Sequence, residues 1–103
     1  MKEPDALKML SALGQSIRLR VLTTLAQAGS DGMASSDLAD LVGVPRNLMS
    51  AHLAVLSKAT LVTSRKSGRS VVYVIHRNAL IGLGNHLTAL AARGNGTGKT
   101  GST

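Results

Sequence analysis

This 103-residue chain predicts a mainly α-helical domain with one small β-hairpin. Three observations carry that prediction. Apolar residues recur at intervals of three and four through most of the sequence. That rhythm stops in "LVTSRKSGRSVVYVIH", where Val, Thr and Ile crowd around a polar centre at Gly68. It then resumes after His76. A chain of this length makes one domain and buries about two thirds or less of its unfolded surface, so a second subunit would help it. Tyr73 is the only aromatic residue, which leaves Leu, Val, Ile, Met and Ala to build the core.

Each element follows from local pattern. Pro4 suits the start of a first helix, Leu7, Leu10 and Leu13 share one of its faces, and Gly14 ends it. Ser16 is a candidate N-cap for a second helix that carries Ile17, Val21, Leu22 and Leu25 and runs to about Ala28. "GSDG" reads as a turn, after which Ser35 or Ser36 can cap a short helix bearing Leu38, Leu41 and Val42. Gly43 stops that helix, Pro45 can begin the next, and Met49, Leu53 and Leu56 form its apolar stripe. Two helices joined by a few residues around a glycine form a helix-turn-helix signature. The hairpin follows from Leu61, with Arg65, Lys66 and Arg69 at its tip. Residues 78–93 return to helical spacing, with Leu80, Leu83, Leu87 and Leu90 in one stripe. Gly82 and Gly84 weaken that helix by about 1 kcal/mol each relative to Ala, so packing against a second chain or the chain's own core must stabilise it. The domain is expected to span residues 1–93. Residues 94–103, "GNGTGKTGST", lack apolar side chains and are expected to form a disordered tail.

Charge is unevenly placed. The net charge is +7, yet residues 1–40 hold four Lys/Arg and five Asp/Glu, whereas residues 41–103 hold eight Lys/Arg and no acidic residue. A basic half without counterweight favours a polyanion, most commonly nucleic acid, over a merely solvated face. There is no cysteine, so disulfides, thiolate metal sites and thiol redox switches are excluded, and a reducing cytoplasm fits. "MKEPDALKML" is acidic where a signal peptide is basic and apolar, and "ALIGLGNHLTALAA" is too short and interrupted to span a bilayer. A soluble, untargeted cytoplasmic protein is expected.

The polar face of the helix after Pro45 shows Arg46, Asn47, Ser50, Ala51, Ala54 and Lys58. In a helix-turn-helix the second helix enters the major groove, its N-terminal residues meeting base edges. Arg46 can donate to guanine O6 and N7, Asn47 can pair with adenine N6 and N7, Ser50 suits base or phosphate, and Ala51 or Leu48 can meet a thymine methyl. Arg65, Lys66 and Arg69 suit phosphates or an adjacent minor groove.

On these residues a family resemblance appears. "ALGQSIRLRVLTTLAQAG", "SSDLADLVGVPRNLMSAHLAVLSKATLV" and "TSRKSGRSVVYVI" together resemble the ArsR/SmtB family of bacterial winged helix-turn-helix repressors, over about residues 5–92. "SAHLAVL" matches the family's SxHLxxL recognition-helix pattern. The resemblance implies a homodimer through the first and last helices, with Leu7, Leu10, Leu80, Leu83, Leu87 and Leu90 at the interface, a palindromic double-stranded DNA operator, and release when an effector binds. It places Arg46, Asn47, Ser50 and Ala51 toward bases, His52 at the motif histidine and Arg65, Lys66 and Arg69 in the wing. His52 equally suits a local hydrogen bond in a half-buried site. Arg18 matches the DNA-facing entrance of the motif or is a surface arginine.

Departures from the family pattern bear on the effector. The cysteine pair of many relatives corresponds to Ala34 and Ser36, and the carboxylate and histidine zinc ligands of others to Arg77, Ala79 and Leu90. His76 and His86 without nearby carboxylates make a poor metal site. No metal or other cofactor is expected, and the effector is left unnamed. Pro45 replaces a small hydroxyl residue, removing a possible cap.

Other functions fit less well. "GTGKT" lacks the phosphate-loop spacing, because Arg93 stands where its first glycine belongs, and no strand leads into it. No nucleophile elbow, metal-ligand motif or carboxylate pair points to an enzyme. The rival reading is an architectural DNA-binding or an RNA-binding protein that uses the same charge without reading sequence, although a single aromatic residue argues against stacking on bases.

Overall fold

The structure, a computed structural model, describes residues 1–94. The expected tail therefore lies outside the described residues apart from Gly94. Among the described residues, five helices and a three-stranded antiparallel sheet run in the order α1 (Glu3–Leu13), α2 (Ser16–Ala28), a 3-10 turn (Gly29–Asp31), β1 (Met33–Ala34), α3 (Ser35–Val42), α4 (Arg46–Lys58), β2 (Val62–Ser67), β3 (Ser70–Ile75) and α5 (Arg77–Ala92). No described helix is long and apolar enough to cross a membrane.

Helix α1 starts with Pro4 in its first turn and with Glu3 and Asp5 beside the positive end of its dipole. Its buried row is Ala6, Met9 and Ala12, while Leu7 and Leu10 face outward. Both rows run along the helix side by side, so periodicity alone does not tell which turns inward. The two alanines let α1 lie close to α2 and α4. At α2 the cap is Gln15, one residue earlier than expected, and its side-chain oxygen accepts from the Arg18 N–H at 2.9 Å. At α3, Ala34 occupies the cap position without a side-chain hydrogen bond, and both serines lie inside the helix.

The core forms where α2, α3 and α4 meet the sheet. Val21, Leu25, Leu38, Met49, Leu53, Leu56 and Leu61 are its largest fully buried side chains. The sheet order is β1-β3-β2, with Met33 opposite Tyr73, Val62 opposite Ile75 and Ser67 opposite Ser70. Strand β1 is an addition to the expected hairpin. Gly32 makes it possible: its φ is +67°, and a Cβ there would run into the Tyr73 carbonyl oxygen. Only glycine lets the backbone pass that close to β3.

Two residues past the end of α4 stands Thr60, a non-glycine residue at φ 62°. Its neighbours hold it there. Leu61 N–H donates to Leu56 O at 3.0 Å, His76 N–H to Leu61 O at 2.9 Å, and His76 Nδ1 lies 2.9 Å from Thr60 O. The last helix is poorly covered by comparison. Leu83 is its only fully buried residue, whereas Ile81, Leu87 and Leu90 are exposed.

Candidate nucleic-acid interface

Three residues, Gly43 to Pro45, join α3 to α4. Gly43 takes the left-handed φ of 84°, its N–H donates to Ala39 O at 2.8 Å, and Val44 N–H donates to the same carbonyl at 3.1 Å. This closure satisfies the end of α3 and reverses the chain. Pro45, at φ −59° and ψ 149°, is the extended residue just before α4, and its carbonyl accepts from Met49 N–H at 2.9 Å. The expected helix-turn-helix is thus a closed unit with no side-chain cap on its second helix.

That second helix divides by face. Met49, His52, Leu53 and Leu56 are buried, and Arg46, Asn47, Ser50, Ala51, Ala54 and Lys58 are all exposed. Arg46 lies 3.8 Å from Asp40, with the two side chains 72% and 70% exposed. A pair so open to water is worth less than about 1 kcal/mol, so it leaves the guanidinium available. Leu48 is also exposed.

The wing is the β2–β3 hairpin. Gly68 takes φ 63° at the first central position of a two-residue turn, as a type II′ hairpin requires, and Arg69 follows it. Arg65, Lys66 and Arg69 are exposed, and Arg65 is steadied by donating to the Asp31 carbonyl at 3.2 Å. Charge on the wing is therefore presented from a stiff strand pair.

Arg18 and His52 have a different setting. The Arg18 Nε donates to Ala12 O at 2.7 Å, and its Nη1 lies 3.3 Å from His52 Nδ1. A guanidinium has only donors, so in this contact Nδ1 is the accepting nitrogen. His52 is 9% exposed. The pair ties α1, α2 and α4 together beneath the polar face, so the partner of His52 is a tertiary one, 34 residues earlier, and not the local one expected. Of the six leucines expected at an interface, Leu7, Leu10, Leu87 and Leu90 are exposed, Leu80 is half-buried, and Leu83 belongs to the chain's own core.

Among the described residues no three His, Asp or Glu side chains converge as a metal site. His76 Nδ1 is engaged by Thr60 O. Sequence reasoning missed Asp40 as the neighbour of Arg46. An acidic residue six positions earlier, across a tight turn, was the available signal.

A short turn between two helices, a polar helix face over an apolar stripe, and a basic hairpin define the class: a winged helix-turn-helix protein. Comparison with known proteins agrees. The helix-turn-helix domain family matches residues 13–65. The HTH-type transcriptional repressor SmtB of Mycobacterium tuberculosis is 33% identical over 66 residues, which cover 64% of this chain and 47% of that protein. The chain thus spans about half the length of the curated relatives it matches. An ArsR-like transcriptional regulator from Rhodococcus sp. RHA1 superimposes with a TM-score of 0.76 at 28% identity, over 86% of this chain and 81% of that one. The homodimeric winged helix-turn-helix domain of Mb0332 from Mycobacterium bovis shares the fold with a TM-score of 0.70 at 22% identity, over 94% and 88% of the two chains. The chain belongs to the helix-turn-helix domain family, and it is similar in sequence to the SmtB repressor and in fold to the ArsR-like regulator.

Proposed function

We propose that residues 1–93 form the DNA-binding unit of a cytoplasmic repressor that acts as a homodimer on a palindromic operator. The observation that carries the reading is α4 itself: six exposed polar or small residues stand on a stripe of four buried ones, beside a wing with three exposed cations. In this reading Arg46, Asn47, Ser50 and Ala51 face bases, and Lys58, Arg65, Lys66 and Arg69 face phosphates or the adjacent minor groove. Arg18 and His52 hold α4 from behind.

Exposed leucines support the dimer. Leu7, Leu10, Leu87 and Leu90, with Ile81, leave α1 and α5 with bare apolar side chains that an isolated small domain would not favour. The interface would lie across α1 and α5, with Leu80 at its edge and Leu83 anchoring α5 from within. Two copies of α4 would then read half-sites about one helical turn, roughly 34 Å, apart.

Selection of duplexes from a random library at near-physiological salt tests this reading. An enriched inverted repeat with that spacing is the expected result. Salt-sensitive binding with no enriched sequence would instead favour the architectural or RNA-binding reading.

A further inference from the structure

Arg46 is the first residue of α4, at the positive end of that helix's dipole. A cation is disfavoured there, and α4 has neither a side-chain cap nor an acidic residue in its first turn to offset it. The offsetting charge comes from α3, whose Asp40 carboxylate lies 3.8 Å from Arg46 Nη2. The turn fixes that placement. Ala39 O accepts from Gly43 N–H at 2.8 Å and from Val44 N–H at 3.1 Å, which locks α3 to the approach to α4 one residue before Asp40.

Asp40 is also the last acidic residue in the sequence, and its side chain is 70% exposed beside the residues read as meeting DNA. A carboxylate there repels phosphates and lowers affinity for any duplex. Its position makes sense if it acts on discrimination.

We propose that Asp40 is a positioning residue for sequence specificity: it holds the Arg46 guanidinium for a guanine edge and withholds it from phosphates. The proposal rests on the base-facing reading of Arg46 above. A guanidinium carries five donors in a fixed fork, and guanine O6 and N7 take two of them. The remaining donors keep Asp40, so the pair survives a base contact. A phosphate contact differs, because it brings a second anion to the same guanidinium beside the carboxylate, and the two anions repel. Asp40 therefore weakens random duplexes, held mainly through phosphates, more than a site whose guanine Arg46 reads. For so exposed a pair the difference is up to about fivefold.

The test measures affinity of the full chain, over a range of salt, for two duplexes: one selected from a random library and one with that sequence scrambled. Asp40→Asn should tighten the scrambled duplex about threefold to fivefold, steepen its salt dependence by about one released ion, and change the selected duplex by less than about twofold. The ratio of the two affinities then falls. Asp40→Glu keeps the charge and should keep most of the ratio. In an Arg46→Ala background, Asp40→Asn should leave the ratio where Arg46→Ala put it. These two results separate an action through Arg46 from a general change in net charge, and thermal melting of each variant checks the fold. Equal tightening of both duplexes by Asp40→Asn, the same fall in ratio with Arg46 removed, or a Glu variant that matches Asn would overturn the proposal. Arg46→Ala alone judges the reading beneath it. If that variant weakens both duplexes equally, or if no sequence is selected at all, the reading and the proposal fall together. If it weakens only the selected duplex while Asp40→Asn leaves the ratio intact, the proposal alone falls.

Discussion

Arg46 rests against Asp40 at 3.8 Å, yet both side chains are mostly in water. Breaking that contact costs less than about 1 kcal/mol, whereas a bidentate guanine contact gains about 1 to 3 kcal/mol of discrimination. Arg46→Ala should therefore lose about that much affinity for a selected site and relax specificity at one base pair; equal losses on selected and random duplexes would remove Arg46 from the base-reading set. Arg18 should behave differently because its guanidinium is spent inside the fold, on Ala12 O and His52. Arg18→Ala should destabilise the protein by about 1.5 to 3 kcal/mol in urea unfolding. Unchanged stability with weakened DNA binding would instead make Arg18 a phosphate contact. The exposed residues of α4 were legible in the sequence because helical period separates them from Met49, Leu53 and Leu56. His52 was legible only in part: it falls between Met49 and Leu53 on the same stripe, but its partner is 34 residues earlier and no local pattern announces it.

At the scale of elements, Thr60 shows a helix ended by tertiary contacts and not by a glycine. A non-glycine residue in the left-handed region costs about 1 to 2 kcal/mol. Thr60→Gly should recover up to about 1 kcal/mol in chemical denaturation, since glycine's freedom in the unfolded chain offsets part of the gain. A loss of stability would mean that the hydroxyl contact to Ala59 O outweighs the strain. On the wing, Arg69→Ala should weaken all duplexes alike and lower the salt dependence of binding by about one phosphate contact. A change in sequence preference would place Arg69 at a base edge. Helix spans and the hairpin could be read from period and turn residues. Strand β1 could not, because two residues carry no periodicity and its pairing with β3 depends on a backbone approach at Gly32 that only tertiary structure reveals.

For the molecule as a whole, the weakest element is α5, which places one fully buried side chain in its own core. Leu87→Glu is expected to give monomers by sedimentation and to reduce operator binding sharply, with the hairpin and helix-turn-helix intact by NMR. An undisturbed dimer would move the interface elsewhere. Leu83 would be a poor site for that test, because its burial means that a carboxylate there would disturb folding as well as association. The division between Leu83 and Leu87 is not visible in the stripe they share; it depends on how far α1 reaches along α5.

The sparse anchoring of α5 has a consequence in the cell. If the helix is completed by a second copy, the amount of working protein follows mass action, so at dilute concentration halving the chain lowers the dimer about fourfold. Synthesis and turnover would then act on promoter occupancy as a steep control, without any ligand being present.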